Sequence, residues 1–118
     1  MEAVFVETRS FSESLYEKLT DSLYATLQSF LMAHPESGKV IRGTRGLRKM
    51  RWADPQRGKG KRGGIRVMYV YLPEVNRFLM LDIYGKDEAE DLTTEERRLL
   101  DELAEEYRRQ YVGRRRGS

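Results

Sequence analysis

The chain contains no cysteine, one histidine (His34) and three prolines. Without cysteine there is no disulfide framework, no thiolate metal site and no cysteine nucleophile. A lone histidine cannot supply the paired imidazoles of a histidine nuclease, and its place directly before Pro35 marks it as a boundary residue. No stretch of about 18 apolar residues occurs, so no membrane span is expected. HExxH, P-loop and GxSxG patterns are all missing, which removes the chemistries that they support. The opening MEAVFVETRS has neither the basic start nor the apolar segment of a secretory signal. A cytoplasmic address is therefore expected.

Positive charge, by contrast, is present and unevenly spread. Residues 39–66 hold eleven Lys/Arg and a single acid, Asp54, for a local charge of +10, whereas the rest of the chain carries −7. Concentration on one segment is the electrostatic footprint expected for binding phosphates. The densest part is GKGKRGGIR, residues 58–66, with four glycines, two lysines and two arginines. Acids at Asp82, Asp87, Glu88, Glu90 and Asp91 raise the possibility of a magnesium site. Most of them, however, precede a helix, where acids stabilise the N-terminus, so neither metal nor cofactor is expected.

At 118 residues the chain has the length of one domain, placed at residues 1–112, with GRRRGS at 113–118 as a frayed basic tail. VFVE at 4–7 reads as a strand, and a partly helical stretch follows at 12–18. Thr20 and Asp21 are N-cap candidates for a helix carrying Leu23, Leu27, Phe30 and Leu31 at helical spacing. That helix should end near His34, because Pro35 disfavours helical geometry in the preceding residue. Residues 47–53 read as a strand with Leu47, Lys49 and Arg51 on one face and Arg48, Met50 and Trp52 on the other. Residues 65–72, rich in β-branched and aromatic side chains, form the clearest strand, and 77–84 returns beside it after a turn at 73–76. Thr93 and Glu96 fit a capping box. Behind them Leu99, Leu100, Leu103, Ala104, Tyr107 and Tyr111 make an apolar stripe expected to belong to the core. Tyr69, Tyr71 and Trp52 are likewise expected in the core. The fold class is α+β: helices near the N-terminus, a mainly antiparallel sheet and a C-terminal helix.

If strands 47–53 and 65–72 pair, Lys49, Arg51 and Arg66 can converge on one surface. Such a cluster binds phosphates in a salt-dependent way, and it can stabilise the added charge of a pentavalent phosphoryl transition state. A lysine crowded by cations is pushed toward its neutral form and could then take a proton from a ribose 2′-hydroxyl. The same charges would equally serve a binder with no catalytic activity.

The segments GLRKMR (46–51), GKGKRGGIRVMYVYL (58–72) and LDIYGKDE (81–88) together resemble the core of RelE/ParE-superfamily toxins. The resemblance is to the HigB-like branch of type II toxin–antitoxin systems, and it implies a compact RelE-like fold with a twisted sheet. It also implies a ribosome-dependent mRNA endonuclease that acts at the decoding site by metal-free 2′-hydroxyl attack and so inhibits translation. The implied partners are the ribosome, mRNA and a cognate antitoxin of helix-turn-helix type, with no membrane. Carried over by position, Lys49 and Arg51 match the paired basic residues of the second core strand, and Arg66 matches the arginine opening the next. Arg66 takes the role of phosphate and transition-state clamp. Lys49 or Lys61 is the candidate base, and Arg51, Arg62 or Lys86 protonates or stabilises the leaving oxygen. Arg48, Arg57, Lys59 and Tyr84 are expected to contact RNA. Some relatives place a tyrosine shortly after the last strand, but residues 87–92 contain none, leaving Tyr84 or the Arg62 guanidinium to stack on a base. Two other readings stay open from sequence: a ParE-like DNA gyrase poison, and a non-catalytic nucleic-acid-binding domain.

Overall fold

Alternating or uniformly apolar runs form the strands, and the longest of them make the middle of the sheet. The computed structural model describes residues 2–53, 64–85 and 92–113. Its elements are β1 (Val4–Glu7), α1 (Arg9–Lys18), α2 (Asp21–Ala33), β2 (Lys39–Val40), β3 (Arg48–Trp52), β4 (Ile65–Leu72), β5 (Arg77–Gly85) and α3 (Thr94–Arg108). The five strands lie in the order β1-β5-β4-β3-β2. β2–β3, β3–β4 and β4–β5 are antiparallel, and β1 runs parallel to β5. The architecture is α+β with a mainly antiparallel sheet. Among the described residues no helix is long and apolar enough to cross a membrane.

The helix starts follow from threonine caps. Thr20 Oγ1 accepts from the Leu23 amide at 3.2 Å, and the capping box at Thr93 and Glu96 closes at 3.1 and 2.9 Å. α1 begins at Arg9, earlier than the expected residue 12, because Thr8 caps it by accepting from the Phe11 amide at 3.1 Å. α2 ends at Ala33 with His34 as its C-cap. Between β4 and β5 a short 3-10 turn at Pro73–Val75 ends on Asn76, whose φ of 49° lies in the left-handed region that asparagine tolerates.

Each sheet face carries its own apolar cluster. Phe11, Leu15, Leu19, Leu27 and Leu31 of the α1–α2 region cover Met50, Ile65, Val67, Tyr69, Phe78, Met80 and Ile83. Trp52 and Tyr71 are partly buried against this cluster. On the opposite face Leu47, Met68, Val70, Leu72, Leu79, Leu81 and Tyr84 meet Ala104 of α3, with Leu100 and Tyr107 packed at the margin.

The expected stripe on α3 divides. Leu99 and Leu103 are 52% and 45% exposed and lie outside the core. Leu100, Ala104 and Tyr107 follow i, i+4, i+7 spacing along one line, and residues one position earlier sit about 100° around the helix from that line. The loop before β3 is fastened to α3: the Arg45 amide and Nε donate to the Asp101 carboxylate at 2.9 and 3.1 Å. This bond, together with positive φ at Gly43 and Gly46, fixes where β3 begins.

Candidate nucleic-acid interface

Pairing register decides which charges meet. In β3–β4, Arg51 lies directly opposite Arg66, and Lys49 opposite Met68. β5 extends the rows, with Tyr84 opposite Arg66 and Asp82 opposite Met68. β2 extends the second row from the other side, with Lys39 opposite Lys49. Residues directly opposite share a sheet face. One face therefore presents the row Arg51–Arg66–Tyr84 and, beside it, the row Lys39–Lys49–Met68–Asp82. The second row passes into the apolar cluster under α3 at Met68.

Arg66 is the one buried charged side chain among the described residues, 7% exposed. Arg51 is exposed and Lys49 half-buried. A guanidinium removed from water needs anionic or hydrogen-bonding company, and a second guanidinium directly opposite destabilises the strand pair. A phosphate laid over the pair, however, accepts hydrogen bonds from both forks.

A bulge in β5 puts Asp82 and Tyr84 on this face. The β4–β5 register shifts between Met68 and Tyr69, so that Tyr69 faces Met80 while Met68 faces Asp82. Strict alternation from Phe78 and Met80, which point into the α1–α2 core, would send Asp82 and Tyr84 there as well. The extra residue, Leu81, reverses the phase, so Ile83 joins that core and Tyr84 the other. Thr8 braces the irregularity: its hydroxyl donates to the Leu81 carbonyl at 2.8 Å, and its amide donates to the Met80 carbonyl at 3.0 Å. Thr8→Val, which keeps the shape but removes the hydroxyl, should lower stability by roughly 1–3 kcal/mol through loss of both the cap and the brace. Urea unfolding would read it.

Arg48 stands on the other face. Its guanidinium donates to the carbonyls of Gly38 (2.6 Å) and Glu36 (3.2 Å) and pairs with the Glu36 carboxylate at 3.8 Å. Tyr69 secures the same segment, donating to the Pro35 carbonyl at 2.9 Å and accepting from the Gly38 amide at 3.0 Å. A Cβ at Gly38 would come within 3.0 Å of the Tyr69 ring and 3.2 Å of the Lys49 carbonyl. The chain thus passes β3 at very close range.

Of the sequence candidates, the structure brings Lys49, Arg51, Arg66 and Tyr84 onto one face and sets Arg48 on the other. Arg57, Lys59, Lys61, Arg62 and Lys86 lie outside the described residues, as do Asp87, Glu88, Glu90, Asp91 and the tail at 114–118. Sequence reasoning did not single out Lys39, because a two-residue strand leaves no periodic signal. It considered Asp82 only as a metal ligand.

Fold and face together define an α+β domain with a cationic row on its sheet beside an apolar helix-covered patch. No family model matches the chain. Among solved structures it is similar to the isolated E. coli RelE toxin in its P21 crystal form. The two are 15% identical, with 75% of this chain and 89% of that chain covered, at a TM-score of 0.49.

Proposed function

We propose that this protein is the toxin of a type II toxin–antitoxin pair, of the HigB-like branch, and that it cuts mRNA on the ribosome without a metal ion. The observation that carries the reading is the buried Arg66 with Arg51 directly across from it and Lys49 in the adjoining row. The likeness of GLRKMR, GKGKRGGIRVMYVYL and LDIYGKDE to RelE/ParE-superfamily cores supports it from the sequence side.

The reaction needs no cofactor. The ribose 2′-oxygen attacks the adjacent phosphorus, the bond to the 5′-oxygen breaks, and the products are a 2′,3′-cyclic phosphate and a 5′-hydroxyl. Lys49 or Lys61 takes the 2′ proton. Arg66 donates to the non-bridging oxygens, whose charge grows as phosphorus becomes pentavalent. Arg51, Arg62 or Lys86 protonates or stabilises the departing 5′-oxygen. Arg57, Lys59 and the rest of the basic segment hold RNA phosphates. The partners are the decoding site of a cytoplasmic ribosome and an antitoxin of helix-turn-helix type that blocks access to it.

End groups test this chemistry. Fragments from a translating reaction should carry 5′-hydroxyls and become ligatable to a 5′ adaptor only after phosphorylation. A 2′-deoxy substitution at the nucleotide preceding the cut should abolish cleavage there. Fragments with 5′-phosphates, or cleavage that survives the deoxy substitution, would overturn 2′-hydroxyl attack.

A further inference from the structure

Four arginines lie on α3 and its C-cap: Arg97, Arg98, Arg108 and Arg109. Three are paired along the helix, Arg98 with Glu95 and Glu102, Arg108 with Glu105, and Arg109 with Glu106. Arg97 differs. The side chain is half-buried, and its Nε is buried without a hydrogen-bond partner among the described residues. The acid one turn along from it, Asp101, is held by the Arg45 amide and guanidinium. Of the first-turn acids, Glu95 pairs with Arg98 and Glu96 accepts from the Thr93 amide.

Helix geometry turns Arg97 toward the sheet face that holds the cationic row. Ala104, 2% exposed, meets that face in the cluster with Met68, Leu81 and Tyr84. Arg97 comes seven residues earlier, which places it within about 20° of the same line. α3 is anchored at its other end beside the start of β5. Arg77 donates to the Tyr107 hydroxyl at 3.3 Å, and its guanidinium lies 4.5 Å from the centre of the Tyr111 ring. From Tyr107 back to Arg97 the helix advances about 15 Å, away from Arg77 and toward the end of β5. There Tyr84 lies opposite Arg66, and Leu92, just before the helix, packs at the margin of the cluster that contains Tyr84.

We infer that Arg97 is a phosphate-binding residue of the RNA site, reaching from α3 to the phosphate next to the one held by Arg51 and Arg66. The inference rests on the ribonuclease reading for the identity of the ligand. A guanidinium matches two phosphate oxygens with its planar fork. The enclosed Nε limits the planes open to that fork, so an anion meets it already oriented. Arg97 belongs to the layer above the sheet, and Arg51 and Arg66 to the sheet itself. The RNA backbone is then gripped from two layers, with the first turn of α3 as one wall of its path. Such a contact fixes register on the backbone and reads no base.

The test measures binding of a six-nucleotide RNA with 2′-O-methyl riboses, which resist cleavage, to the full chain across a range of salt. Arg97→Gln should weaken binding about ten-fold, the loss of one charge-assisted hydrogen bond, and by the same factor for different base sequences. It should also lower the slope of log affinity against log salt by about 0.7, the value for one phosphate contact on a single strand. Arg98→Gln makes the same change in charge one residue along, at a side chain already paired with Glu95 and Glu102, and should leave the slope unchanged. The unsubstituted chain gives a second reading that needs no variant to fold. Saturating RNA should protect Arg97 from phenylglyoxal, followed by peptide mass spectrometry, and leave Arg98 equally reactive with and without RNA. Equal falls in slope for R97Q and R98Q, or an Arg97 that RNA does not protect, would overturn the inference. Protection by poly-glutamate but not by RNA would assign the residue to an acidic protein partner and overturn it too. A hexamer that fails to bind at low salt also overturns it, and leaves the ribonuclease reading to the ribosome assay. Protection and a lowered slope with no mRNA cut on ribosomes would remove the ribonuclease reading and leave the phosphate contact standing.

Discussion

Replacing Arg66 with alanine should slow mRNA cleavage on translating ribosomes by about 10²–10³-fold, the usual cost of removing one donor aimed at developing transition-state charge. The side chain sits between Arg51 and Tyr84 in the row that crosses β3, β4 and β5. It is 7% exposed, and a charge there acts through less intervening water than one at the surface. The loss should be a loss of rate and not of folding. β4 is held by backbone pairing on both sides, so the strand should keep its place in the sheet when the side chain is shortened. Arg66→Lys should recover little, because a point-like ammonium cannot offer the planar fork that holds two phosphate oxygens at once. Timed sampling of message cleavage, with urea unfolding of each variant alongside, reads both halves of the prediction. A variant that folds and cuts normally would remove Arg66 from the chemistry.

Phe78→Ala should produce the largest loss of stability, about 3–5 kcal/mol. Phe78 is fully buried and lies on β5 between two strands, opposite Phe5 of β1 and Tyr71 of β4. Its ring stacks on Phe5 at 4.6 Å with 3° between planes, and lies 4.7 Å from Tyr71 and 6.1 Å from Tyr69. Truncation removes all three ring contacts and leaves a cavity that β-sheet backbone cannot close. Against a typical total of about 5–15 kcal/mol, the variant should be close to unfolded at physiological temperature. The urea midpoint should fall sharply with little change in slope. A shift corresponding to less than about 1 kcal/mol would mean that the aromatic stack is not what joins β1 to the sheet.

Much of this fold is readable in the sequence because its signals are local. β4 matches its expected limits, Ile65–Leu72, since every side chain in that run suits a sheet interior. Thr20, Thr93 and Glu96 announce their helices through capping chemistry. The alternation of β3 placed Lys49 and Arg51 on one face and Met50 and Trp52 on the other, and the structure has the same division. What stayed hidden depends on distant parts of the chain. β2 is only two residues long and exists because Arg48 and Tyr69 hold the segment before it. The bulge at Leu81 leaves no mark on composition, yet it decides which face Asp82 and Tyr84 share, and its brace comes from Thr8. A groove beside Phe30 is likewise a product of assembly: its residues come from α2, β3, β2 and the segments on either side of β2, and no periodicity links them. The division of the α3 stripe was within reach, since a helix of this length cannot turn six apolar positions spanning two lines toward one sheet.

The most direct test of the account is a translation reaction on a defined mRNA, with 5′ ends mapped after addition of the purified protein or of its Arg66→Ala form. The account predicts new ends inside the translated region that require ribosomes and disappear with Arg66→Ala. An intact message translated at the normal rate, or equal cutting of the same RNA without ribosomes, would contradict it.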